Sequence, residues 1–388
     1  MSLLGVPIEF FLFGATLLGV AVFHHRNFEV ALGGLAVILT YKLLVLDLDL
    51  AGHLAHEWHL LANLLGLLLG FAILAKRFEE SRLPQLLPKW LPDDWTGGFA
   101  LLGVIAVLST FLDNIAAAMI GGVMAKQLYR GRVSIGYLAA IVAASNAGGA
   151  GSVVGDTTTT MMWIAGVPAL CVAKAFIAAI VAIVLSGVVA GRAQHAVQPI
   201  QKDSPKRLTI DGAQLAVVGM IIAGAIAANV LLDFPAVGVW IAIGLGGLFS
   251  RTPWEELAHA WKGTLFLLCL VLSASLMPVE SLPSPSWQTA FALGFISAIF
   301  DNIPLTALAL YQGGYDWGML AYTVGYGGSM IWFGSSAGVA ITNSFPEAKN
   351  TGRWLREGWH VPVAYVAGFF VMLWLGGWHP FDYVRVGR

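Results

Sequence analysis

Charge is what this 388-residue sequence has least of. Only 11% of its residues are Asp, Glu, Lys or Arg, against roughly 25% in a soluble domain. That scarcity excludes an ordinary water-facing globule. The lack of any basic block excludes an electrostatic nucleic-acid partner. Cysteine is nearly missing too. Cys171 and Cys269 both fall in apolar segments, too few and too isolated for a disulfide framework or a transition-metal cage. The start, "MSLLGVPIEFFLFGATLLGVAVF", lacks a basic n-region and a small-residue cleavage site, so it reads as a first span and not as a signal peptide. No cofactor is expected.

What is present is apolar. Hydrophobic residues make up 58% of the chain and the mean hydropathy is +0.78. Apolar runs fall at 7–23, 29–46, 59–75, 97–125, 135–163, 167–190, 212–231, 235–250, 263–278, 287–312, 317–344 and 360–378. Runs of about 20 residues predict membrane helices, and the 45 glycines suit close helix packing or helix breaks. The expected class is an all-α polytopic membrane protein with the lipid bilayer as its partner.

Basic residues cluster in four connections: Lys76, Arg77, Arg82 and Lys89; Lys126, Arg130 and Arg132; Arg192, Lys202, Lys206 and Arg207 in the polar stretch 191–211; and Lys349, Arg353 and Arg356. The positive-inside rule places all four in the cytoplasm. Only 97–125 then separates two segments on one side, and a single crossing cannot return to its own side. A re-entrant hairpin can, if protein or water shields it. Its tip falls at Asp113–Asn114 in "FLDNI". Likewise 279–286 and 312–317 lack Lys and Arg and read as external, so 287–312 becomes a second hairpin with its tip at Asp301–Asn302 in "IFDNI".

Two halves follow, each with five spans and one hairpin: 1–190 (hairpin about 97–125, broken helix about 135–163) and 212–388 (hairpin about 287–312, broken helix about 317–344), joined by a cytoplasmic linker at 191–211. An odd span count per half inverts the second half, as in secondary transporters, and leaves both termini external. The plainer alternative is twelve ordinary spans with chance Asp–Asn pairs.

Three acidic residues fall at membrane depth: Asp113, Asp156 and Asp301. Such groups are costly and mark function by default; the structural alternative is a helix cap or a lysine pair, with Lys174 as the candidate partner. Asp156 lies in "SNAGGAGSVVGDTTTT", 145–160, where glycines interrupt a helix and Ser145, Asn146, Ser152, Thr157 and Thr158 add oxygens. Four consecutive threonines are poor helix formers. The second half has "GSSAGVAITNSF", 334–345, with Ser335, Ser336, Thr342, Asn343 and Ser344. Asp113 precedes Asp156 by 43 residues and Asp301 precedes Asn343 by 42, which pairs the Asp156 break with an Asn343 break. His53, His56 and His59 have helical spacing but sit near a span end with Glu57, and read as a wet interfacial face. The stretches 253–263 and 351–360 read as membrane-surface helices.

"FLDN", "SNAGGAGSVVGDTTTT", "IFDNIP" and "GSSAGVAITNSFPEAKN" together resemble the NhaD-type sodium/proton antiporters of the ion transporter superfamily, and the resemblance covers most of the chain. It implies inverted repeats whose hairpins and broken helices meet at the midplane, a scaffold that forms a homodimer, and a transport part that moves as an elevator. It also implies a multi-pass protein of a prokaryotic inner (plasma) membrane. Carried over by position, it implies ion-site residues Asp113, Asn114, Asn146, Asp156, Thr157, Thr158, Ser297, Asp301, Asn302, Ser335 and Ser336. Ser145, Ser152, Thr342, Asn343 and Lys174 are secondary candidates. The first Asp–Asn pair departs from the pattern: Ala116, Ala117 and Ala118 follow it, where hydroxyls are expected.

Oxygen ligands suit Na+ or Li+ and not a transition metal. Carboxylates buried near one another resist ionising together, so cation and proton would compete for one cluster. The expected function is non-enzymatic Na+(Li+)/H+ exchange by alternating access. A Na+- or H+-coupled citrate or dicarboxylate carrier is the rival on the same fold, and it needs an anion site. An intramembrane aspartyl protease is the rival of another class; its Gly-x-Gly-Asp pattern is missing, since Val153 precedes Val154, Gly155 and Asp156.

Overall fold

The computed structural model describes residues 2–3, 5–23, 26–202 and 209–381. Lys206, Arg207 and the C-terminal "YVRVGR" lie outside the described residues. Apart from a short antiparallel pairing of Ser2–Leu3 with Val6–Pro7, the regular structure is helical. The first half carries α1 (Ile8–Val22), α2 (Asn27–Val45), α3 (Leu50–Glu80), α4 (Leu83–Leu86), α5 (Trp95–Ser109), α6 (Asn114–Leu128), α7 (Ile135–Ala150), α8 (Thr157–Ile164), α9 (Ala169–Ala173) and α10 (Ala175–Val197). The second carries α11 (Gly212–Leu232), α12 (Pro235–Gly246), α13 (Glu255–Ser275), α14 (Trp287–Ser297), α15 (Asn302–Gln312), α16 (Trp317–Gly327), α17 (Ser336–Ser344), α18 (Thr351–Glu357) and α19 (His360–Gly376).

Among the described residues, α2, α3, the joined segment Ala169–Val197, α11 and α13 are each long and apolar enough to cross a membrane, and α18 with α19 form a sixth candidate bent by 58°. The chain is a multi-pass membrane protein. Helix starts coincide with polar residues that satisfy orphan amides. Asp49 accepts from Gly52 N, Asp94 from Thr96 N and Ser134 from Tyr137 N. Asp211, Ser286 and Asp316 do the same for α11, α14 and α16.

Two helix groups emerge. In one, α1–α3 pack with α11–α13. Asn63 on α3 accepts from Ala236 N at 3.2 Å, and Trp240 Nε1 donates to the Gly66 carbonyl at 3.1 Å. In the other, α5–α10 pack with α14–α19, tied by buried tyrosines: Tyr137 donates to Gly98 O and Tyr365 to Phe291 O, both at 2.7 Å. A cavity of about 780 Å³ lies between the groups.

Several sequence expectations change here. The stretch 253–263 is not a separate surface helix, because α13 runs unbroken from Glu255 into its apolar part; 351–357 is a separate helix, α18. Arg77 is not a free loop cation. It is fully buried on α3, and its guanidinium donates to Gln214 Oε1 at 2.9 Å, Ser250 Oγ at 2.5 Å and Thr252 Oγ1 at 2.7 Å. The linker begins later than 191, since α10 continues to Val197. Its described part is docked: Gln201 N donates to Leu128 O, Asp211 N to Ser81 O, and Lys202 pairs with Asp93 at 2.8 Å.

Candidate functional site

Four interruptions of helix build the site. The first is a turn at 110–113 between α5 and α6. These helices return antiparallel: a Cβ on Gly98 would lie 2.7 Å from the Tyr129 hydroxyl, and one on Gly121 would lie 2.3 Å from Ile105 Cδ1. The second is the turn at 298–301, after which α15 comes back until Gln312 Nε2 donates to Pro283 O at 2.9 Å, just before α14. The third and fourth are breaks inside the two central helices, 151–156 between α7 and α8, and 328–335 between α16 and α17.

Each interruption ends in a polar cap, and the caps match in pairs. Asp113 and Asp301 both have φ −53°, ψ 142°, and accept from Ile115 N (3.3 Å) and Ile303 N (3.0 Å). Asp156 has φ −145°, ψ 142° and caps Thr158 N; Ser335 has φ −144°, ψ 153° and caps Gly338 N. The helices that lead into turn and break, and the breaks themselves, also meet in the same way. A Cβ on Gly148 would meet Ala106 O at 2.0 Å, and one on Gly327 would meet Gly294 O at 2.3 Å. Gly155 lies as close to Ser109 O, and Gly334 to Ala298 O. Only glycine permits such backbone approach. Across the halves, α6 packs on α17, α15 on α8 and α7 on α16.

This pairing corrects the sequence spacing. The residue that matches Asp156 is Ser335, not Asn343. Asn343 lies near the end of α17, exposed, and accepts from Lys349 Nζ at 2.8 Å. The similar separations of 43 and 42 residues are coincidental, because the second break is reached sooner. Thr159 and Thr160, which carried no site expectation, serve the backbone. They belong to the first turn of α8, where Thr159 Oγ1 donates to Ser152 O (2.5 Å) and Asp156 O (2.9 Å), and Thr160 Oγ1 to Val153 O (2.9 Å). Their hydroxyls satisfy carbonyls that the break releases.

Asp156 is the hub. It is 2% exposed. Its Oδ1 accepts from Thr158 N at 2.9 Å and Thr158 Oγ1 at 3.0 Å. Its Oδ2 accepts from Asn114 Nδ2 at 3.2 Å and Asn302 Nδ2 at 3.5 Å, one amide from each turn. Asn114 Nδ2 also donates to Asn146 Oδ1 at 3.0 Å, and Asn146 Nδ2 donates to Ser329 Oγ at 2.9 Å and Ser335 Oγ at 3.2 Å. Asp301 Oδ2 accepts from Ser336 Oγ at 3.2 Å. Asp113, Thr157, Asp301, Ser335, Ser336 and Asn343 line one region of the cavity, which also reaches Lys76, Glu79, Glu256 and His259.

All three aspartates are therefore caps, yet each carboxylate has two oxygens and capping uses one. The N-terminal ends of α6, α8, α15 and α17 converge here, each bringing roughly half a positive charge. That field holds buried carboxylates which would otherwise cost several kcal/mol apiece.

Other candidates stand apart. Ser145, Ser297 and Thr342 donate to the carbonyls of Val142, Val324 and Val339, and Ser152 to Thr110 O at 2.5 Å. These tie backbone together and do not bond the hub. Lys174 is exposed at the α9–α10 junction, so it is not the partner of buried Asp156, whose bonds come from amides and a hydroxyl. His53 bonds Ser275 Oγ at 2.8 Å, and no group of three metal-ligating side chains occurs among the described residues. Two residues escaped the sequence reading. Ser329 joins the network through Asn146. Ser109 is fully buried beside Gly155 with no hydrogen-bond partner for its hydroxyl, and stands 188 residues before Ser297, the spacing of the two Asp–Asn pairs.

A family model described as "Citrate transporter" (CitMHS) matches residues 10–327. The chain is 28% identical over 297 residues to "Sodium/proton antiporter 1" of Arabidopsis thaliana, covering 64% of this chain and 49% of that protein. It thus spans about half the length of that relative. It is 26% identical over 369 residues to "Na(+)/H(+) antiporter NhaD" of Alkalimonas amylolytica, covering 78% and 76%. Against "Na(+)/H(+) antiporter NhaD" of Halomonas elongata it is 25% identical over 360 residues, covering 76% and 72%.

Proposed function

The chain belongs to the citrate-transporter family, as an NhaD-type member of the ion transporter superfamily, and we propose that it exchanges Na+ or Li+ for H+ across the membrane. The observation that carries this reading is the hub. Asp156 takes bonds from the Asn114 and Asn302 amides and the Thr158 hydroxyl, Asp301 takes one from the Ser336 hydroxyl, and Asp113 caps α6; among the described residues no Lys or Arg bonds to any of the three. Hard monovalent cations take such oxygen sets. The names of the relatives support the same chemistry.

In the proposed cycle, Asp156 and the turn aspartates Asp113 and Asp301 hold either a cation or protons. Thr157, Thr158, Ser335 and Ser336, with the side-chain oxygens of Asn114, Asn146 and Asn302, complete the cation shell after local rotation. Competition for one set of groups, with access alternating between sides, is sufficient for antiport. The matched caps and contacts support reading the two halves as inverted repeats with re-entrant turns. The cavity between the helix groups supports an elevator movement of α5–α10 and α14–α19 against α1–α3 and α11–α13. A homodimer, a prokaryotic plasma membrane and external termini belong to the same proposal.

The test uses inside-out vesicles. Added Na+ or Li+ should move protons, and Asp156→Asn should abolish the signal while the protein still folds. Normal exchange by that variant would overturn the assignment. The family description favours a second reading, coupled carboxylate transport; citrate-driven proton movement by the unaltered chain would establish it instead.

A further inference from the structure

We infer that Asp156 sets the sign of the transported species: it is a tethered carboxylate occupying a pocket whose remaining groups would bind a free organic carboxylate. The inference deepens the proposed function and rests on its reading of the hub as the transport site.

Asp156 apart, the groups bonded at the hub are donors, the set an anion takes, and Asp113 and Asp301, which line the same cavity, take none of these bonds. Asn114 and Asn302, from two different turns, aim their amide donors at a single oxygen, Asp156 Oδ2. The opposite oxygen, Oδ1, takes the Thr158 amide and hydroxyl. Four donors on two oxygens is the arrangement that a bound carboxylate requires. Four helix N-termini add a field that favours negative charge and repels a cation. The chain meets that field with its own carboxylate and turns the pocket towards cations.

The second half shows the same backbone without that carboxylate. Ser335 occupies the cap that matches Asp156, with nearly the same φ and ψ, and α17 forms behind it. A hydroxyl is thus enough to start the helix, and the carboxylate at 156 answers to something other than folding. Asp113 and Asp301 do not substitute for it. They sit at the turns, and neither takes a bond from Asn114 Nδ2 or Asn302 Nδ2.

The test is binding of formate, the smallest carboxylate, to full-length protein in detergent, read by thermal unfolding against chloride at equal ionic strength. Asp156→Gly should gain a saturable upward shift of the midpoint with formate that the unaltered protein lacks. Asp156→Ser, which copies the Ser335 cap, should gain a smaller one. Adding Asn114→Ala and Asn302→Ala to either should weaken formate affinity by about tenfold or more, the value of hydrogen bonds to a charged group. A folded Asp156→Gly protein that responds to formate no more than to chloride overturns the inference, as does a shift that survives loss of both amides. If neither variant is monodisperse alone, recovery on adding formate supports the inference and no recovery overturns it. Sodium-driven proton movement by the unaltered chain is measured separately, so failure of antiport and failure of the tethered-carboxylate role are distinct results.

Discussion

The two helix breaks, 151–156 and 328–335, are the same device built twice with different chemistry. Both end in a residue with extended backbone angles whose side chain caps the next helix. Both place glycine carbonyl-close to the turn beside them. One cap is an aspartate with four donors on its carboxylate; the other is a serine that accepts from Asn146. Shared geometry with unlike side chains separates what the fold needs, a small polar cap, from what the site adds, a carboxylate at one break and not at the other. The site is therefore lopsided even though its framework is paired.

That comparison can be broken or sharpened experimentally. The largest contrast is between the caps themselves. Asp156→Asn should reduce sodium-driven proton movement in vesicles to background, whereas Ser335→Ala should leave exchange measurable, lowered by about tenfold or less for one neutral hydrogen bond and a cap. Equal loss in both would make the breaks functionally equivalent. Next come the amides. Asn114→Ala should weaken apparent sodium affinity by about 10- to 100-fold, because it frees the shorter bond to Asp156 and also the link to Asn146. Asn302→Ala, at 3.5 Å, should cost less, and the reverse order would show the second turn to be the tighter clamp.

The proposed competition predicts a pH dependence. Protonating a site carboxylate removes a cation ligand, so apparent sodium affinity should fall as pH falls, by about tenfold per unit where one proton is exchanged. A pH-independent affinity measured by isothermal titration excludes a shared site. The smallest effect expected is that of Ser336→Ala. It removes one hydroxyl from Asp301 Oδ2 and should change sodium affinity by a few-fold, about 1 kcal/mol or less.

The sequence displayed the apolar segments, the twin Asp–Asn turns and the Gly-rich break around Asp156, because charge scarcity and glycine punctuation are local signals. It misled at Asn343. Counting residues from Asp301 cannot reveal that the second central helix breaks earlier; only the cap at Ser335 does. It also misled at Arg77, which looks like a loop cation in "KRFEESR" until its three hydroxyl and amide partners are brought from α11 and the loop after α12. Ser329 carries no motif, and only its neighbours in space single it out, whereas Ser109 could have been found from its 188-residue spacing to Ser297.

The glycine contacts between turn and break bear on leakage. At Gly148, Gly155, Gly327 and Gly334, main chain lies against main chain with no side chain between. Such a seam has no room for a file of water molecules, and a file of water is what conducts protons uncoupled from a carrier. In the proposed exchanger such seams would serve as electrical insulation, and a methyl group inserted at Gly155, where a Cβ would meet Ser109 O, would prise one open. If the proposed exchange holds, a chain that kept its ligands but lost its seams would still bind ions while letting protons pass uncoupled.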